Sequence, residues 1–338
     1  MLFRSVSFTP TDRTDYATVT TTATLNVLQA TPVVTVGAPG GTYDGTPFPA
    51  TVAIASGIPG LNNTPAASLE NATPILDYYE GAGTSGTSLG PTPPTAAGTY
   101  TVVARFPGST DYAPTHSTPV VFTIARTVAA IAVAMSPSSA VYGQSVTVVA
   151  TVAGASVPSG TVTFFDGATS LATVPLNGSG QATLTTTGLA VGSHAITATY
   201  SGDANFFGSQ SGSATESVSQ AATRIVLVPH PVLRKKKVMS LGLTAEVVPE
   251  PPGGGVPTGM VTFEFLVKHG KKPKVKTLGK AALHGAEATL TVKPRSVLNK
   301  PITIIYGGDP NYRASTLAPP KLTQTGLKSL ARPTATGQ

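Results

Sequence analysis

Tyr200-Ser-Gly-Asp-Ala-Asn-Phe206 returns as Tyr306-Gly-Gly-Asp-Pro-Asn-Tyr312, an offset of 106 residues. A recurrence at fixed spacing marks a chain built from repeated units, and missing it would misassign the whole fold. Upstream, Pro158-Ser-Gly-Thr-Val-Thr-Phe164 returns as Pro257-Thr-Gly-Met-Val-Thr-Phe263 at an offset of 99, so seven residues have entered between the two landmarks. Ala182-Thr-Leu184 pairs with Ala288-Thr-Leu290 already at 106, which places the insertion between Phe263 and Ala288, where it lengthens one hairpin. Working backwards, Gly98-Thr-Tyr-Thr-Val-Val-Ala-Arg-Phe106 with Asp111-Tyr112 matches Gly192-Ser-His-Ala-Ile-Thr-Ala-Thr-Tyr200 with Asn205-Phe206, an offset of 94. Phe8, Asp15-Tyr16 and the strand-like stretch from Ala17 to Val27 read as the last two strands of yet another unit. The chain is therefore expected to begin in mid-domain.

Inside each unit the apolar residues alternate. Tyr100, Val102, Ala104 and Phe106 share one face of a strand, as do His194, Ile196, Ala198 and Tyr200, and again Lys300, Ile302, Ile304 and Tyr306. Composition agrees: hydrophobic residues make up 41% and charged residues 11%, with Thr, Ser, Ala and Val where helices would favour Leu, Glu and Lys. The 35 Gly and 30 Pro follow no three-residue period, so they punctuate turns such as Asp166-Gly167 and Asn177-Gly178. Seven or so short strands per unit predict two-sheet antiparallel sandwiches in an all-β chain. Its 338 residues suit two to four domains of about 100 residues.

Cys is absent, which excludes disulfides, thiolate metal sites and cysteine nucleophiles. No run of about 18 apolar residues exists, so no membrane insertion is expected, and Met1-Leu2-Phe3-Arg4-Ser5 lacks the apolar stretch of a signal peptide. Were the chain a fragment, a leader and an anchor would lie outside it.

The unit containing Gly160-Thr-Val-Thr-Phe-Phe-Asp-Gly, Ala182-Thr-Leu and Gly192-Ser-His-Ala-Ile-Thr-Ala-Thr-Tyr-Ser-Gly-Asp-Ala-Asn-Phe206 resembles the bacterial immunoglobulin-like (Ig-like) repeats of group 3 type. Residues 223–324 look like a more diverged copy, and residues 31–124, with Tyr43-Asp-Gly45, resemble the related repeats known for a Tyr-Asp-Gly signature. The resemblance implies tandem immunoglobulin-like antiparallel β-sandwiches, an extracellular or cell-surface location, and structural or adhesive work with no shared catalytic residue. The domains are expected at 1–29 (C-terminal strands of a truncated repeat), 30–125 (Tyr-Asp-Gly type), 126–220, and 221–326 (basic hairpin insertion), with a disordered tail at 327–338. Gln29-Ala-Thr-Pro32, Ala125-Arg-Thr127 and Ser219-Gln-Ala-Ala-Thr223 are joints too short for wide excursions, so an extended rod is expected. Each sandwich would add roughly 30–40 Å to it.

Chemistry-bearing residues are sparse. The loops Gly202-Asp203-Ala-Asn205-Phe206 and Gly308-Asp309-Pro-Asn311-Tyr312 offer two side-chain oxygens each, too few for calcium and suited to bracing their own turns. His194 stands where Tyr100 stands one unit earlier, two residues after a turn Gly, and resembles a tyrosine-corner residue. His116, His230, His269 and His284 have no partner at metal spacing. No nucleophile elbow, phosphate loop or glycosidase-like carboxylate pair is present, so no enzyme activity, metal or cofactor is expected.

Charge is the exception. Residues 1–220 carry four Arg and no Lys against ten acids, whereas residues 221–338 carry 18 Lys and Arg against five acids, so the net +7 belongs to one end. The lengthened hairpin holds Lys268, Lys271, Lys272, Lys274 and Lys276, and Arg234, Lys235, Lys236 and Lys237 lie on the approach to the unit's second strand. Lys280, Lys293, Arg295 and Lys300 add to them. Two readings stand: a solvated basic loop, or contact with an anionic surface polysaccharide or cell-wall polymer. Nucleic acid is disfavoured, because aromatics for base stacking are few and Lys outnumbers Arg. Other expected partners are the neighbouring repeats of a full-length chain. The leading function is a non-catalytic structural spacer or adhesin stalk segment. The alternatives are a binding module attached through its basic repeat and an accessory array of a secreted carbohydrate-degrading enzyme.

Overall fold

A computed structural model describes residues 2–25, 27–58, 64–234, 237–269, 272–318, 322–323 and 327. Strands are the dominant regular structure of the described residues, joined by turns and loops, with one short helix, Pro294–Val297. The fold is a tandem set of Ig-like antiparallel β-sandwiches.

By proximity the chain divides into two compact units, residues 1–129 with 154–158 and 202–207, and residues 130–153, 159–201 and 208–338. In the first unit the hairpin Leu2–Phe8 with Val19–Leu25 precedes a sandwich. One sheet of that sandwich pairs Val33–Gly37 with Thr51–Ala55. The other is ordered Gly41–Thr42, Val120–Ala125, Gly98–Phe106, Ile75–Glu80, Ser88–Gly90. Ala104 and Phe106 from the long central strand meet Val34 and Ile54 from the facing sheet, which is why alternate positions of these strands are apolar.

The second unit repeats this plan. Ala130–Ser136, Val146–Ala153 and Gln181–Thr186 form one sheet. Its central strand buries Val146, Val148, Ala150 and Val152 while Thr151 and Ala153 face solvent. The opposite sheet runs Ala140–Val141, Ala214–Ser219, Gly192–Tyr200, Thr161–Asp166, Thr169–Pro175. Here Ala140–Val141 crosses from one sheet to the other and pairs parallel with Val218–Ser219, as Gly41–Thr42 pairs parallel with Val120–Ala125 in the first unit.

The last sandwich departs from the plan. Thr223–Arg234 runs straight into Lys237–Pro249 as one long hairpin, with Glu287–Val292 beside it and no crossing strand among the described residues. The opposite sheet is ordered Lys272–Ala282, Met260–His269, Ile302–Tyr306, Ser315–Leu317. The seven extra residues lengthen its first two strands to 11 and 10 residues, against 7 and 6 in the preceding sandwich. Leu241, Leu243, Val261, Phe263, Ile304 and Tyr306 fill its core. Leu327, the first residue of the expected tail, is buried against that core; residues 328–338 lie outside the described residues.

Candidate functional site

The recurring Asp-x-Asn-aromatic loop does its work through the backbone. Asp203 Oδ1 accepts hydrogen bonds from Asn205 N (2.8 Å) and Phe206 N (2.9 Å). Asp309 Oδ1 accepts from Asn311 N and Tyr312 N at 2.8 and 2.9 Å, and its Oδ2 accepts from Thr258 N and Thr258 Oγ1 at 2.8 and 2.7 Å. These carboxylates brace a turn, as short Asp side chains do. Among the described residues no group of three or more His, Asp or Glu is placed to hold a metal ion.

The shaped turn clamps the linker entering its own sandwich. Ala30 N donates to Asp111 O (2.9 Å), Thr127 N to Asn205 O (3.1 Å) and Ala221 N to Asn311 O (3.0 Å). It also presents an aromatic ring to a tyrosine. Phe206 meets Tyr43 edge to face with ring centroids 5.4 Å apart, and Tyr312 meets Tyr142 at the same 5.4 Å and a similar angle. Tyr43 and Tyr142 are equivalent residues, each following a crossing strand and each held by its backbone N to a carbonyl, of Ala125 and of Ser219, at 2.8 Å. Further bonds lock each joint: Tyr43 Oη with Ser156 Oγ at 2.8 Å and Ala97 N to Asn205 Oδ1 at 2.9 Å in the first, Tyr312 Oη to Gly254 O at 2.6 Å in the second. Two glycines make the approach possible. A Cβ on Gly154 would run into the Phe206 ring, and Gly143, at φ +78°, lies against Gly254.

At the corner where the strand Gly98–Phe106, Gly192–Tyr200 or Ile302–Tyr306 begins, each of the three sandwiches satisfies the carbonyl four residues upstream of its corner residue with a different donor. Tyr100 Oη donates to Ala96 O (3.0 Å), His194 Nε2 lies 2.8 Å from Ala190 O, and Lys300 Nζ donates to Ser296 O (3.0 Å) while lying over the Phe265 ring. His194 is thus a corner residue. Its Nδ1 also lies 2.7 Å from Asp166 Oδ2, so both ring nitrogens face acceptors, an arrangement that the doubly protonated ring satisfies. Directly across the strand pair from His194 sits Glu216, fully buried, with neither carboxyl oxygen hydrogen-bonded.

Burial disfavours the charged ring, yet the bonds to Ala190 and Asp166 and the charges of Asp166 and Glu216 outweigh it and hold the His194 pKa above its ordinary value. Burial also raises that of Glu216, against the pull of His194. Groups whose pKa is raised on folding contribute stability that is complete below the unfolded values, 6.5 for His194 and 4.5 for Glu216, and that fades as pH rises through the folded ones. Protection of the 130–200 amides in hydrogen exchange is therefore expected to fall as pH rises from about 5 to about 8 after correction for intrinsic exchange, and less so in His194→Gln. A slope unchanged by the substitution would contradict this.

The basic residues gather by topology. In the last sandwich the joint with Tyr142 lies at one end, and the strand ends at Arg234, Lys237, His269 and Lys272 and the helix Pro294–Val297 lie at the other. Strand pairing thereby brings Arg234, Lys237, Lys268, Lys272, Lys293, Arg295 and Lys300, spread over 67 positions, to that end. Lys237, Lys274 and Lys276 are exposed; Lys274 and Lys276 flank Val275 on a shallow surface of about 320 Å³. Lys237 lies instead with Val238, Met239, Lys293, Pro294, Arg295 and Leu298 around a groove of about 590 Å³. Lys268, Lys272 and Arg234 stand on strands, and Lys235, Lys236 and Lys271 lie outside the described residues. Lys293 and Arg295 lie 56 and 58 positions from Lys237 in sequence, and the fold brings them to the same groove.

The class this fold defines is an array of Ig-like β-sandwiches. Within it, residues 133–219 match the family model described as a bacterial Ig-like domain (group 3). No curated protein matches the chain. The chain is similar to a solved tetra-tandem repeat in the extending region of a large adhesion protein, at 16% identity over 95% of this chain and 81% of that one, TM-score 0.34. It is similar as well to a Ca2+-stabilized adhesin that helps an Antarctic bacterium bind ice, at 12% identity over 87% and 73%, TM-score 0.27. A third is the ligand-binding domain of human OSCAR, at 15% identity over 56% and 97%, TM-score 0.22.

Proposed function

We propose that the chain is a non-catalytic structural segment, a spacer or adhesin stalk, of a bacterial surface or secreted protein, working outside the cell. The observation that carries this reading is the joint made twice in one geometry, Tyr43 on Phe206 and Tyr142 on Tyr312 at 5.4 Å each. A loop that only closed a sandwich would have no use for a tyrosine socket; a loop that fixes one sandwich to the next has. The resemblance of residues 31–124 and 223–324 to Ig-like repeats supports extending the family assignment beyond 133–219, with independent folding units at 30–125, 126–220 and 221–326. The test is a duplication. A chain carrying a second copy of residues 126–220 in series gains roughly 30–40 Å in maximum dimension by small-angle scattering; an unchanged dimension overturns the spacer reading.

A second reading is favoured by the gathering of cations at one end of the last sandwich: attachment to an anionic surface polysaccharide or cell-wall polymer. The two are compatible, since a stalk segment with a charged face can hold as well as space.

A further inference from the structure

We infer that the groove walled by Lys237, Met239, Lys293, Arg295 and Leu298 is a binding site for an acidic saccharide chain bearing carboxylate or sulfate groups; this rests on the anionic-polymer reading and narrows it to one site and one ligand class. Three observations point to it. The groove, at about 590 Å³, falls within the range of about 300–1,000 Å³ typical of small-ligand sites. Three cations and no acid line it, around apolar surface from Val238, Met239, Pro294 and Leu298. And it occupies the end that in the two preceding sandwiches carries the crossing strands Gly41–Thr42 and Ala140–Val141 and their socket tyrosines; here no crossing strand stands among the described residues, and Arg234 pairs with Lys237 at that end instead. This end presents charge where its equivalents present an aromatic joint.

The lining selects the ligand. Arg295 offers a planar fork suited to a carboxylate or sulfate, and Lys237 and Lys293 offer point charges to neighbouring acidic units. Met239 and Leu298 offer apolar contact to the C–H faces of sugar rings between those charges. A single-stranded nucleic acid would call for aromatic platforms, and no aromatic side chain lines the groove.

The test measures binding of alginate, a linear polyuronate, to the full chain by calorimetry at two salt concentrations. The triple substitution Lys237→Gln, Lys293→Gln, Arg295→Gln is expected to weaken binding by at least about tenfold and to reduce its salt dependence. Met239→Ser weakens it several-fold with the salt dependence unchanged, an effect that charge attraction alone does not produce. Binding that survives the triple substitution but is lost when Lys268, Lys271, Lys272, Lys274 and Lys276 become Gln overturns the groove and leaves the anionic-polymer reading standing. No alginate binding even at low salt overturns both. Single-stranded DNA of equal charge bound as tightly as alginate, with the same response to Met239→Ser, overturns the saccharide assignment.

Discussion

Phe206→Ala is expected to destabilise the chain by about 3–5 kcal/mol, read as a shift in the midpoint of chemical denaturation. The ring is fully buried, meets Tyr43 edge to face, and fills the space that Gly154 leaves by having no side chain. Alanine removes all of that packing, and the turn braced by Asp203 holds the backbone in place, so the gap does not close. Tyr43→Phe separates ring from hydroxyl: it keeps the aromatic contact, loses the bond to Ser156, and is expected to cost about 1 kcal/mol. A loss under about 1 kcal/mol for Phe206→Ala would mean that the ring is a passenger and the joint is held by backbone bonds alone.

Asp309→Ala comes next in size, at about 3 kcal/mol, or a fall of roughly 10–20 °C in the melting temperature of the last sandwich. One carboxylate serves four donors there: Asn311 N, Tyr312 N, Thr258 N and Thr258 Oγ1. Burial opposes the charge, but the bonds from Thr258 and Asn311 outweigh it and hold the Asp309 pKa below its ordinary 3.8. A group with a depressed folded pKa contributes stability that is present above the unfolded value and lost as pH falls through the folded one. Acid therefore acts here in the opposite sense to its action at His194 and Glu216. Asp309→Asn keeps an oxygen for the Asn311 and Tyr312 amides but turns an NH2 toward the Thr258 N–H, so an intermediate loss is expected. Equal stability of the Asn and wild-type chains would contradict the account of this turn.

The sandwich fold was legible because period-two alternation and turn glycines are local signals, and the repeat supplied its own alignment. That alignment alone placed His194 on the Tyr100 corner, and the bond to Ala190 follows the one from Tyr100 to Ala96. Glu216 was overlooked although its signal was present: it shares a strand face with Val218, two residues on, so alternation turns it inward. The roles of Tyr43 and Tyr142 were hidden for a different reason. Each is defined by a ring more than 160 residues away, and nothing local distinguishes a socket tyrosine from any other strand-end aromatic. Arg234-Lys-Lys-Lys237 does lead into the unit's second strand, which begins at Lys237, but the first strand reaches as far as Arg234, which pairs with Lys237, and no local signal in the sequence marks that extent. The basic insertion, conspicuous in sequence, drew attention to the Lys268–Lys276 finger, while the groove is assembled by strand pairing from residues that are individually unremarkable.

The central claim is that the chain is a series of separately cored sandwiches that bear load in turn. Stretching single molecules from both ends tests it most directly. The account predicts successive unfolding events, each releasing about 30 nm, the contour length of roughly 95 residues less the folded span, with the event that opens the 126–220 sandwich weakened by Phe206→Ala. A single event releasing the whole chain, or smooth extension without discrete events, would contradict it.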